Sequence, residues 1–137
     1  MVDRNARNLF IELLHKVISS EISVKQFFQK MPRSKDLAIH EICSPLVRIL
    51  TDDGMGYLKG QIKLTDKTIA HYILFLESNL EYEWPPKKKR PFYRLEYFMV
   101  KLGLIDLKKD YQEYISHGDI KVWPFIRQSD FEKCERN

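Results

Sequence analysis

The chain has 137 residues, 44% apolar and 31% charged, with five glycines, six prolines and a net charge of +4. That size suits one domain burying roughly two-thirds of the surface its unfolded form exposes, and the composition excludes collagen-like, low-complexity and disordered classes. The longest apolar runs, such as 72–76, fall far short of the roughly 20 residues of a bilayer-spanning helix, and residues 1–10 carry no secretory pattern, so a cytoplasmic protein is expected.

Residues 5–20 place Leu9, Phe10, Leu13, Leu14, Val17 and Ile18 at intervals of three and four, with Arg7, Glu12 and Lys16 on other sides, which predicts an amphipathic helix. Ser23 suits the N-cap of a short second helix burying Val24, Phe27, Phe28 and Met31 before Pro32 stops it. Two helices so closely joined are expected side by side. A third helix is expected from near Ser34 to Leu50, burying Leu37, Ile42, Leu46, Ile49 and Cys43, with Pro45 either kinking or dividing it. Three glycines between Asp52 and Gly60 then mark a loop.

Thr65 suits the cap of a fourth helix over 65–80, with Ile69, Tyr72, Ile73, Leu76 and Leu80 inward. Pro91 fits the first position of a fifth that buries Phe92, Leu95, Phe98, Met99 and Leu102 and stops at Gly103. A sixth is expected over 107–116. Residues 120–125 are expected to be extended before Pro124, either a docking strand or an irregular arm, and Ser129 with Glu132 has capping-box spacing for a last helical turn or two. The expected architecture is all-α: one compact bundle of six or seven short helices over residues 1–137 with a partly extended C-terminal arm.

The charge is uneven. Between Lys87 and Lys101 six basic residues face one acid, a local +5, so the rest of the chain carries −1. Lys87, Lys88, Lys89, Arg90 and Arg94 form a basic knot among prolines and aromatics, which reads as a short import-type signal or phosphate-binding loop, or as a stiff solvated connection anchored by Trp84 and Phe92. A duplex-binding face would spread its cations more widely. Glu77, Glu81 and Glu83 precede this knot; Glu77 and Glu81 are expected on one face near the end of the fourth helix, with the lysine run compensating them.

Catalytic and metal patterns are sparse. His40 and Cys43 have i, i+3 spacing, but two ligands fall short of the four of a structural zinc site. Asp52 and Asp53 beside Gly54 suit a cation or a base, yet lack the alternating acids of an EF-hand. No nucleophile elbow, phosphate-binding glycine loop or dinucleotide fingerprint is present, and Cys43 and Cys134 are expected as free thiols rather than a disulfide. No cofactor or metal is expected, and no catalytic residue is assigned.

A compact helical chain without a catalytic motif, ending in the aromatic tail VWPFIRQSDFEK, resembles small bacterial immunity proteins of the contact-dependent growth-inhibition type. The resemblance implies a non-enzymatic cytoplasmic inhibitor that occludes a cognate protein toxin. Many such toxins are basic nucleases, which would favour acidic surfaces such as Asp52, Asp53, Glu77, Glu81 and Glu83 as partner-binding; the clustering of both charge signs around residues 77–94 adds Lys87, Lys88, Lys89, Arg90 and Arg94 as candidates. The alternative is a nucleic-acid-binding accessory domain using the basic 87–94 loop.

Overall fold

The computed structural model describes residues 1–85, 102–103 and 107–137, and among these every regular element is a helix. Helix α1 spans Arg4–Ile18, α2 Val24–Lys30, α3 Leu37–Thr51 and α4 Lys67–Glu77; after these come α5, Leu107–Ile115, a 3-10 turn at Ile120–Val122, and α6, Gln128–Glu135. The fifth helix expected over 91–102 lies outside the described residues.

Local chemistry sets the helix ends. The Asp3 carboxylate accepts from the Ala6 amide at 3.0 Å and caps α1. At the other end the Ser20 amide bonds the Val17 carbonyl and the Glu21 amide the Lys16 carbonyl, with Ser20 at φ 64°, a Schellman close with serine where glycine is usual. Ser23 and Gln26 form a reciprocal capping box on α2. Helix α3 starts three residues later than expected, because Asp36 rather than Ser34 caps it, and Leu37 is then 46% exposed instead of buried. Pro45 sits inside one continuous helix and does not divide it. Helix α4 begins after Asp66, not Thr65, and ends at Glu77 rather than near residue 80.

The C-terminal region departs most from expectation. Residues 120–122 form a 3-10 turn capped by Asp119, so the partly extended arm is largely absent; Val122 and Phe125 are nevertheless buried in the core. The last helix begins after Arg127 and leaves the Ser129–Glu132 spacing unused. Trp84 holds this region down by donating its indole N–H to the Phe125 carbonyl at 3.0 Å while stacking on Tyr114.

Contacts between helix ends give the topology. Near the start of α1, Asp3 meets Ser34 and Asp36, and Arg4 and Arg7 meet the end of α4. Near the end of α1, Ser20 meets Leu58, and the first amides of α2 meet the loop after α3. Helices α1 to α4 therefore run up, down, up and down, with two poles. One pole holds the starts of α1 and α3 and the end of α4; the other holds the opposite ends.

The first pole is built on a buried ion pair. Arg7 donates from Nε to Asp36 Oδ2 at 2.6 Å and from Nη2 to Oδ1 at 3.1 Å, and its remaining amino group reaches the Ser78 carbonyl at 3.0 Å. The same carboxylate accepts from the Asp3 and Ala38 amides, so four donors satisfy it. The guanidinium also lies 5.4 Å from the centre of the Phe75 ring. Arg7 is fully buried, whereas Leu9, expected on the apolar face, is 41% exposed. Arg7 lies two turns before Leu14 and almost in line with it, at the edge of the stripe made by Phe10, Leu13, Leu14 and Val17, in angle between Leu14 and the buried Ile18. Charge alone had assigned it to solvent.

Removing one member of such a pair strands the other, so Arg7→Met is expected to cost about 3–5 kcal/mol in urea melts. Adding Asp36→Asn should recover much of that loss; additive losses would show that the two side chains are not coupled. Burial pushes the Asp36 carboxyl up, but the Arg7 hydrogen bond and charge and the two amides outweigh it and hold the group below its usual range. Its contribution is therefore complete above pH ~4 and lost as pH falls through the lower folded value. Melting temperature should drop in that window, and Asp36→Asn should flatten the drop. Gly118→Ala is expected to destabilise by about 1–3 kcal/mol, since a Cβ there would stand 2.6 Å from the Ile126 carbonyl oxygen and 3.1 Å from the Trp84 ring.

Candidate interaction surfaces

The five acidic positions divide between the poles. Asp52 and Asp53 follow the last residue of α3, whereas Glu77 ends α4 beside the start of α3, where Asp36 and Ser78 share Arg7. Helix α3 has 15 residues and so separates the two groups by about 22 Å. They are two surfaces, not one. The basic set Lys87, Lys88, Lys89, Arg90 and Arg94 lies outside the described residues.

At the first pole the chain leaves α4 as an extended ridge. Glu81 and Glu83 are exposed while Tyr82 and Trp84 between them are buried, an alternation that turns acids outward and aromatics inward. Glu81 is off the helix, so it does not share a helical face with Glu77 as the spacing suggested; its carboxylate stands 3.6 Å from the Met1 amino group. The negative end of α4 draws its compensation from α1: Arg4 donates to the carbonyls of Leu76, Glu77 and Ser78, and Arg7 to Ser78. Beneath the ridge, Trp123 donates its indole N–H to both the Tyr82 and Tyr114 hydroxyls, at 3.2 and 3.0 Å. Burial pushes the Tyr82 phenol up and keeps it neutral. The ridge is held from below and behind.

At the second pole residues 52–57 are all exposed. Met55 is 46% exposed and Tyr57 58%, so an aromatic and a thioether stand in solvent beside Asp52 and Asp53. The backbone beneath them is fixed: the Met55 and Gly56 carbonyls accept from the Lys25 and Val24 amides at 3.0 and 2.9 Å, Leu58 is buried, and its carbonyl accepts from the Ser20 hydroxyl. Asp53 accepts from the Gln61 side-chain amide at 2.8 Å. Gly54 takes φ 98° to turn the chain here. Loop 52–61 thus uses its backbone acceptors to satisfy the start of α2, which no side-chain cap alone would do. Met55 and Tyr57 were not singled out from the sequence; the signal was an apolar residue on each side of Gly56 in a segment too short and glycine-rich to bury them.

The remaining candidates for chemistry are occupied structurally. The His40 ring stands 2.6 Å from the Ser34 carbonyl, to which its Nε2–H donates. Burial pushes the half-buried Cys43 thiol up, away from the thiolate that a nucleophile or metal ligand requires. His71 packs on Phe131 at 4.6 Å between ring centres and joins α4 to α6, with burial and Lys67 lowering its basicity. Among the described residues no group of three or more His, Cys, Asp or Glu can hold a metal ion, and no helix is long and apolar enough to cross a membrane.

Comparison with protein-family models, with curated proteins and with solved structures gives no match.

Arg4→Ala removes one of the two cations at the end of α4 and leaves the buried Arg7 in place. Amide hydrogen exchange over 78–84 is expected to accelerate at least tenfold relative to the middle of α1; uniform acceleration along the chain would show that the ridge has no separate support.

Proposed function

We propose that this chain is a non-enzymatic protein-binding domain, and most specifically an immunity protein that neutralises a cognate bacterial toxin by direct contact. The observation that carries the reading is the fixed loop tip at residues 52–57, where Tyr57 and Met55 are exposed beside two carboxylates. Tyrosine and methionine are enriched at protein interfaces, and a few such residues carry most of the binding energy. A backbone already tied to α2 loses little entropy on docking, so little of that energy is spent on ordering the loop. Asp52 and Asp53 add a local negative potential that speeds encounter with a basic partner. The Glu77–Glu83 ridge offers the same sign at the other pole, on a segment with equally firm support.

Such a surface supports inhibition by occlusion. A rigid apolar knob entering a pocket slows release, and the adjacent acids compete for cations that would otherwise meet phosphate. Nothing in this mode of action requires the inhibitor to transfer a proton or hold a metal.

The test is affinity capture from lysate of cells that encode the chain, with the wild-type protein and Tyr57→Ala as paired baits. A protein retained by the first and weakened about 30-fold or more for the second is expected, with melting temperatures of the two baits within a degree or so. Recovery of RNA or DNA without a protein would overturn the reading in favour of the basic 87–94 loop. Once a partner is in hand, Asp52→Asn with Asp53→Asn should slow association about two- to tenfold at low salt and leave dissociation nearly unchanged.

A further inference from the structure

We draw no further inference here: the strongest candidate, the cleft of about 460 Å³ at the first pole lined by Met1, Asp3, Arg33, Ser34, Lys35 and Asp36, carries nothing because Asp3, Ser34 and Asp36 are already committed to helix capping, to one another and to Arg7, leaving two helix starts and exposed cations with no second observation that points to a ligand.

Discussion

The bidentate pair between Arg7 and Asp36 is the constraint on which the rest of the structure depends. Its three elements are far apart in sequence: α1 supplies the guanidinium, the start of α3 the carboxylate, and the end of α4 the Ser78 carbonyl. Taking both charges out of water is costly, and the pair is tolerable only because every lone pair of the carboxylate is met and the guanidinium has both an anion and a carbonyl. The return is positional. Asp36 cannot meet Arg7, Asp3 and Ala38 at once unless α1 and α3 start at the same level, and Arg7 cannot reach Ser78 unless α4 ends there. The core of Phe10, Leu14, Ile39, Ile42, Leu46, Phe75 and Leu76 stabilises the bundle without fixing that register by itself.

The helix dipoles follow the same arrangement. Two helix starts and one helix end meet at the first pole; the starts are capped by Asp3 and Asp36, the end by Arg4 and Arg7. Each carboxylate therefore serves a positive helix terminus and each arginine a negative one, with α1 providing both arginines. The acidic ridge over 77–83 leaves the bundle from this junction and takes its direction from it.

Much of this was legible in the sequence where the cause is local. Ser23 capped α2 because its hydroxyl and Gln26 answer each other within one turn, and the three-glycine stretch after Asp52 broke the chain as its backbone freedom implied. The illegible parts have distant causes. Arg7 looks solvent-exposed until Asp36, 29 residues on, and Ser78, 71 residues on, are brought to it; only its alignment with Leu14 hinted at burial. Helix α4 ends at Glu77 because the Arg4 and Arg7 donors take its last carbonyls, so Glu81 fell on a ridge rather than a helical face. The 3-10 turn near the C-terminus starts on a local cap, Asp119, but the segment after it is held down by the distant Trp84, which no nearby residue announces.

Of the candidate surface, the acids were legible as residues but not as a geometry. The five acids carried no common geometry in the sequence; α3 divides them between two poles, and the apolar members Met55 and Tyr57 emerge only once loop 52–61 is seen spending its carbonyls on α2. That division makes the functional reading sharp enough to map. Amide hydrogen exchange of the captured complex against the free chain maps it: new protection is expected to concentrate in residues 52–58 and the adjoining start of α2. Protection confined to other surfaces, with 52–58 exchanging as in the free chain, would contradict it.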